Sequence, residues 1–345
     1  MTSPSPTTIW ADGVYDCFHV GHANALRQAS KLGDRLVAGV HSSEVVAAQK
    51  GAPTIQTLAE RAAILAACKW VDGVGEDAPW NTDLAFCEEK CGPNFYVAHG
   101  DDLCLSADGS DPYEVIKSAG KMKIFERTKG VSTTDLVTRL LAHESSQSNL
   151  IEEQSPYTGG NSFILTASLI TSFYEFCRTR KQSDSVAYIH GAFDILHPGH
   201  LEVIKHASRH FDHVIVGIWS DSDVANHRCD PYPILSMQER ALMVLSLRGV
   251  DDVIIGAPCE VDDKFIKTQG ITKVITGPCA YNNSFNPNLN ISAEFLDVVN
   301  SNVPEMSYKV LAERVLSRKD VYLERNRKKN AKELASLKAA SQISA

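Results

Sequence analysis

Along the chain, short apolar runs rich in β-branched residues alternate with longer stretches whose apolar positions recur at helical spacing. "TTIWADG" (7–13), "RLVAGVH" (35–41), "VDGVGE" (71–76) and "FYVAHG" (95–100) are of the first kind; "HANALRQASKL" (22–32) and "LAERAAILAACKW" (58–70) are of the second. The first kind reads as strand and the second as amphipathic helix. Strand–helix alternation predicts an α/β fold, a parallel sheet covered by helices on both faces. In such sheets ligands bind beyond the carboxyl ends of the strands.

The pattern occurs twice. "ADGVYDCFHVGH" (11–22) matches "IHGAFDILHPGH" (189–200), and "DRLVAGVHSSEVV" (34–46) matches "DHVIVGIWSDSDV" (212–224). "LAERAAILAACKWVDGVGEDAPW" (58–80) matches "MQERALMVLSLRGVDDVIIGAPC" (237–259), and "FYVAHG" matches "KVITGP" (273–278). The offset stays near 178 residues, so this is a duplicated domain and not a short-period solenoid. The expected organisation is a first domain over 7–142, a linker over 143–185, a second domain over 186–325 and a charged C-terminal helix or tail over 326–345. The linker opens with polar, Gly/Ser-rich "HESSQSNLIEEQSPYTGGNS". Its following apolar segment is expected to pack on one domain. The C-terminus, "DVYLERNRKKNAKELASLKAASQ", reads as a solvated helix of mixed charge, since it lacks the broad apolar face of a membrane-surface helix.

Composition narrows the class. At 345 residues, 43% hydrophobic and 22% charged, either half can bury its own core. The net charge of −8 argues against a broad electrostatic grip on nucleic acid. Nine scattered cysteines without a CxxC pair read as reduced thiols, with neither a disulfide framework nor a zinc site, and no resident metal is expected. Cys87 and Cys91, four apart on a predicted helix, read as packed thiols. "MTSPSPTTIW" lacks the features of a signal peptide, and the longest apolar stretch, 163–176, is too short to span a membrane. The expectation is a soluble cytoplasmic protein with no integral membrane segment.

The repeated His-x-Gly-His falls just after the first strand of each copy, at the start of a helix. A helix N-terminus offers unpaired N–H groups and a positive dipole end, which suits phosphate. Gly21 and Gly199 allow close approach to the backbone. Imidazole N–H groups of His19 and His22 can donate to phosphate oxygens and stabilise charge growing there. Taken alone, two histidines fit a structural or incidental surface role equally well.

The wider sequence adds a resemblance. "GVYDCFHVGH" followed by "RTKGVSTTDL" (127–136) resembles the cytidylyltransferases, nucleotidyltransferases with an HxGH motif after strand one and an RTxG[IV]ST[ST] motif before the final helix. HxGH alone is also similar to the HIGH motif of class I aminoacyl-tRNA synthetases, but a KMSKS-like loop and a basic tRNA surface are lacking. With "APW", "AHGDD" and "DGSDPYEVIK", the duplicated arrangement most resembles members of the family that act on phosphoethanolamine. The resemblance implies two tandem Rossmann-like, doubly wound parallel-sheet nucleotidyltransferase domains. It implies CTP, with Mg²⁺, as donor, phosphoethanolamine as acceptor, and CDP-ethanolamine and pyrophosphate as products, in phosphatidylethanolamine synthesis. Phosphocholine or glycerol 3-phosphate are the alternative acceptors. A non-catalytic nucleotide-binding regulator is the alternative of another class, against which the intact RTKGVSTT argues. A homo-oligomer is left open.

The resemblance also distributes roles. His19, His22, Lys50 (in "AAQKGAP", on the loop after the second strand), Arg127 and Thr128 are the expected catalytic set. Gly13, Asp16, Gly21, Arg61, Ser132, Thr133 and Thr134 are expected around the nucleotide. Ser/Thr before "DLVTRLL" reads first as a helix cap, and with Arg127 upstream as a second phosphate cradle. Asp16 is expected to act through Mg²⁺ or by orienting a basic group, and Arg61 has a helix-surface salt bridge as its other reading. For the acceptor, a primary ammonium wants carboxylates, here Asp101 and Asp102, with Trp80 and Tyr113 as ring contacts. Leu103, Cys104 and Leu105 stand where choline enzymes carry a tyrosine, which favours ethanolamine.

The second copy keeps Glu239 and also Gly191, Asp194, His197, Gly199, His200 and Arg240, the last six being the expected elements of a second nucleotide site. Arg228 or a neighbour replaces the loop lysine. Cys259 answers Trp80, "TGPCA" answers "AHGDD", and "VPEMSYKVLAERV" (303–315) offers only Ser307 in place of the Ser/Thr run. The first copy is therefore expected to catalyse. The second is expected to pack against it and to bind CTP or CMP as an effector.

Overall fold

The computed structural model describes residues 5–102, 104–145, 163–228, 233–276, 294–297, 308–329 and 331. The first copy runs β1 (Thr8–Gly13), α1 (Val20–Ser30), β2 (Arg35–Val40), α2 (Ser43–Lys50), α3 (Leu58–Ala67), β3 (Gly73–Glu76), α4 (Leu84–Cys91), β4 (Phe95–Gly100), α5 (Glu114–Ser118), β5 (Met122–Phe125) and α6 (Thr133–Ser145). Its five strands are parallel, in the order β3-β2-β1-β4-β5. Strand order reverses between β1 and β4, which opens a crevice at the carboxyl ends of those strands. After α7 (Ala167–Tyr174) the second copy repeats the plan with β6 (Val186–Gly191), α8 (Pro198–His210), β7 (His213–Trp219), α9 (Asp221–Arg228), α10 (Met237–Leu245), β8 (Asp252–Ala257), α11 (Asp263–Gln269), β9 (Lys273–Thr276), β10 (Glu294–Asp297) and α12 (Tyr308–Leu316). Its sheet order, β10-β9-β6-β7-β8, is the same doubly wound arrangement. A last helix, α13, covers 319–329.

The four strands expected in the first copy are β1 to β4. β5 escaped the pattern because "MKIF" is four residues long and carries a lysine; its pairing with β4 makes it a strand. Inside the sheet the fully buried Trp10 lies over Gly39 and Gly75, and a Cβ at either glycine would run into the indole. Tyr188 and Gly217 repeat that packing in the second copy.

The copies share one continuous hydrophobic core and face each other as the halves of a twofold dimer do. Cys68 and Leu247 form an antiparallel bridge between them, flanked by Lys69 N–H to the Ser246 carbonyl (2.9 Å) and Arg248 N–H to the Ala67 carbonyl (2.7 Å). Helices α3 and α10 both begin with a capping box, Thr57 with Glu60 and Ser236 with Glu239. Each capping glutamate also takes an arginine from the other copy. Arg314 of α12 reaches Glu60 at 2.7 Å, and Arg139 of α6 reaches Glu239 at 2.8 Å. The same arginines donate to the carbonyls of Ile55 and Ile234, both at 3.1 Å.

Two expectations about the flanking segments are sharpened. Helix α7 lies within the apolar stretch of the linker and touches both copies: Phe173 is fully buried against Trp70 (5.1 Å, edge-on), and Arg178, just beyond it, pairs with Asp251 at 2.6 Å. Most of the Gly/Ser-rich joint, 146–162, lies outside the described residues. Over its described part the C-terminal helix has the expected exposed, charged side but is not solvated all round, because α13 buries Tyr322 completely against the first copy. Seven described cysteines are free thiols. Among the described residues no helix is long and apolar enough to cross a membrane.

Candidate active site

The crevice begins with a tight turn after β1. Tyr15 and Cys17 hold positive φ of 53° and 45°, a region that costs energy for residues other than glycine. Asp16, between them, pays that cost by accepting the Ile55 and Gln56 N–H groups at 2.8 and 2.9 Å. Burial raises the Asp16 carboxyl pKa, and the two amides pull it back. With both oxygens engaged, Asp16 orients the turn. The second copy repeats the device: Phe193 and Ile195 have φ of 51° and 60°, and Asp194 accepts from Ile234 and Leu235 at 3.0 and 2.9 Å.

Arg61 is neither a surface salt bridge nor open to a nucleotide. It is fully buried and donates to the carbonyls of Val14 (2.7 Å), His41 (2.9 Å) and Gln56 (3.3 Å). It ties together three segments that wall the crevice. Arg240 does the same in the second copy through the carbonyls of Ala192, Trp219 and Leu235. Gly13 closes β1 with the Tyr15 ring packed against it.

His19 caps α1. Its Nδ1 accepts the N–H groups of Gly21 (3.1 Å) and His22 (3.4 Å). An accepting Nδ1 is unprotonated, so in the neutral ring the proton sits on Nε2. Burial, then the neighbouring His22 and Arg127, holds the His19 pKa well below the ordinary value and keeps the ring neutral. His22 stacks on it with ring centres 3.8 Å apart, and burial takes His22 down to about 3. The backbone must come close here: a Cβ on Gly21 would sit 3.0 Å from both the His19 ring and Val131.

Val131 belongs to the RTKGVSTT segment, which forms the opposite wall. Thr133 Oγ1 lies 3.4 Å from His19 Nε2 and 3.3 Å from the Asp16 carbonyl. Ser132 caps α6 by accepting the Asp135 N–H, and Thr128 Oγ1 accepts from Asn24 at 2.9 Å. Thr134 Oγ1 accepts from Lys329 at 3.0 Å. Arg127 is exposed at the rim, where its N–H meets Asp101 (2.8 Å) and its guanidinium meets Asp102 (3.3 Å). Lys50 is the last residue of α2 rather than part of a loop. Its ammonium lies 5.8 Å from the centre of the Trp80 ring. The residue as a whole is exposed, yet protein around its ammonium desolvates the charge. That desolvation, helped by Lys329 and Arg325, takes its pKa down to about 8.

Beside Tyr113 lies a buried acid that neither motif nor composition marks. Asp12, on β1, accepts from Tyr113 Oη at 3.0 Å and Thr82 Oγ1 at 2.8 Å. His99 lies beside Tyr113 (4.8 Å) and His41 beside Trp80 (5.0 Å), whose buried Nε1–H has no hydrogen-bond partner among the described residues. Asp12, His41 and His99 all stand at the carboxyl ends of apolar strands, and that placement was the available signal. Asp101 and Asp102 are exposed and engaged with Arg127. Leu103 lies outside the described residues.

The second crevice has different contents. His190 stands at the position of Asp12 and accepts from Trp219 Nε1–H at 3.1 Å. Arg228 ends α9 as Lys50 ends α2, but turns inward: it pairs with Asp194 at 2.7 Å, lies 3.8 Å over the Tyr308 ring, and its side chain is 6% exposed. His197 and His200 stack at 3.8 Å, but His197 makes no side-chain cap. Burial lowers His197 to about 4. Gly191 and Gly199 keep their places at the end of β6 and the start of α8. Ser307 and 277–280 lie outside the described residues.

A doubly wound sheet, a histidine-capped helix at its switch point and nearby cations define a nucleotidyltransferase-type α/β protein, in whose second copy Arg228 is tied to Asp194 where the first copy has Lys50. The cytidylyltransferase-like family model matches residues 10–139 and 188–331, and the chain belongs to that family. It is 40% identical over 293 residues to the ethanolamine-phosphate cytidylyltransferase of Dictyostelium discoideum, covering 80% of each chain. It is 36% identical over 358 residues to the Arabidopsis thaliana protein of that name, covering 95% of this chain and 84% of the other. The probable choline-phosphate cytidylyltransferase of Schizosaccharomyces pombe matches over 138 residues at 41% identity, 39% of this chain and 37% of its own.

Proposed function

We propose that the first copy transfers CMP from CTP to phosphoethanolamine, giving CDP-ethanolamine and pyrophosphate. The observation that carries this reading is the meeting of His19 Nε2 with Thr133, which joins two motifs 114 residues apart into one anion-ready crevice. A phosphate oxygen of the acceptor attacks the α-phosphorus of CTP. The bond to the β-phosphate oxygen breaks, and pyrophosphate leaves. The nucleophile is already anionic, so positioning and charge neutralisation are the protein's task. The neutral His19 donates its Nε2 proton in a hydrogen bond to the phosphoryl group, and Lys50 and Arg127 supply positive charge.

The CTP phosphates themselves would hold Mg²⁺, whose charge would offset theirs. The oxygens of Asp12 and Asp16 already accept hydrogen bonds. Asp12 is the better partner for the ammonium than Asp101 or Asp102, because it is buried between Tyr113 and Thr82 while they lie at an exposed rim. In the second copy this acid is His190, which supports a non-catalytic, packing role there. The residues of the proposed site come from a single chain. The free thiols fit a reducing, cytoplasmic setting. The test is formation of CDP-product from labelled CTP with phosphoethanolamine, phosphocholine and glycerol 3-phosphate in competition. Phosphoethanolamine is expected to win, and Asp12→Asn to raise its KM without changing that of CTP. A clear phosphocholine preference overturns the acceptor assignment.

A further inference from the structure

Helix α13 follows the second copy in sequence, yet one of its faces lies on the first. Tyr322 is fully buried, and its hydroxyl donates to the Pro53 carbonyl at 3.2 Å, in the loop that follows Lys50. Asn326 is buried and donates to Thr138 Oγ1 (3.3 Å) and the Thr134 carbonyl (3.5 Å) on α6. Lys329 donates to Thr134 Oγ1 at 3.0 Å. Positions 322, 326 and 329 recur at helical spacing and form one stripe. That stripe spans the two walls of the crevice, the loop beyond Lys50 and the N-terminus of α6.

The same face carries charge inward. The Arg325 guanidinium lies 5.1 Å from the Tyr322 ring centre, partly buried. Arg325 and Lys329 are close enough to Lys50, and Lys329 to His19, for their charge to press both pKa values down after burial has done most of the work. Like charges so placed repel, and Asp16 offsets only part of that repulsion at Arg325 and Lys50. The burial of Tyr322 and Asn326 holds them together, and a polyanion among them relieves the repulsion.

We propose that α13 completes the donor site of the first copy, with Lys329 and Arg325 gripping the β- and γ-phosphates of CTP. Thr133 meets His19 at the reacting end, and the next residue, Thr134, meets Lys329 one step further along, where the leaving pyrophosphate lies. The second copy then serves catalysis by carrying this helix. The inference rests on CTP being the donor, as proposed above, and is independent of which acceptor is used.

The experiment is equilibrium binding of CTP with Mg²⁺, and separately of CMP, to the full chain and to Lys329→Met, Arg325→Gln and the double variant, with melting temperatures recorded alongside. Lys329→Met should weaken CTP about tenfold or more, the worth of one hydrogen bond to a charged group, while CMP changes by less than about threefold. The double variant should lose more, and Lys329→Arg should recover most of the affinity. A folded double variant that binds CTP as tightly as the parent, or loses CTP and CMP equally, overturns the proposal. A parent chain that binds no CTP overturns this inference and the donor reading together.

Discussion

Arg314→Ala tests whether the second copy supports the first through the bridge at Glu60. Two guanidinium nitrogens reach the Glu60 carboxylate at 2.7 and 3.0 Å, and one also reaches the Ile55 carbonyl at 3.1 Å. The Arg314 side chain is 30% exposed and that of Glu60 14%, which places the pair between two regimes. An exposed pair contributes roughly 0–1 kcal/mol, and breaking a buried pair costs about 3–5 kcal/mol. Glu60 keeps the Thr57 N–H at 2.9 Å after the change, so its charge is not left wholly unpaired. Loss of about 2 kcal/mol is expected, or roughly 4–8 °C in melting temperature for domains of this size. Thermal unfolding followed by tryptophan fluorescence reads mainly the first copy, which holds three of the four tryptophans. A double-mutant cycle with Glu60→Gln should give a coupling of about 1–2 kcal/mol. Catalysis should fall as well, because the Ile55 and Gln56 amides fix Asp16 three residues before His19. Arg314→Lys, which keeps charge without the planar fork, should lie between parent and Arg314→Ala. A coupling below about 0.5 kcal/mol would refute this account of the interface.

Three further outcomes follow from the site. Lys50 loses its charge above about pH 8, so kcat/KM for CTP should fall there. Lys50→Arg should move that alkaline limb upward, and an unmoved limb would assign it to another group. Stability should also depend on pH through His197, whose folded pKa of about 4 lies below its unfolded value. The unfolded chain takes up the proton first, so this contribution is intact above an unfolded pKa of about 6.5 and is lost as pH falls toward about 4, at up to ~1.4 kcal/mol per pH unit. Urea midpoints at pH 7 and 5 should therefore differ less in His197→Gln than in the parent, and an equal drop would contradict the assignment. Gly21→Ala places a Cβ 3.0 Å from the His19 ring and should lower kcat about tenfold or more without unfolding the chain. Full activity of a folded Gly21→Ala variant would count against close packing at the reacting centre.

The amino-acid sequence by itself determined the α/β class, the duplication and the two motifs of the site, because strand and helix periodicity and motif spacing are local properties. It also marked the second copy as depleted, since the loss of RTxGxSTT and of the acid pair is written in the chain. Contacts were decided elsewhere. Arg61 looked available to a nucleotide because a lone arginine on a helix says nothing of the three carbonyls that surround it after folding. Asp12 passed as a strand residue until the sheet placed its end beside Tyr113 and Thr82, which come from segments 101 and 70 residues away. Arg228 matched Lys50 in position, but only packing turned it onto Asp194 and Tyr308. The C-terminal helix read as solvated because its composition is charged. The single stripe of Tyr322, Asn326 and Lys329 acquires meaning only from the crevice against which it lies. Periodicity is carried by neighbours along the chain, whereas charge pairing and burial depend on which distant segments the two sheets bring together.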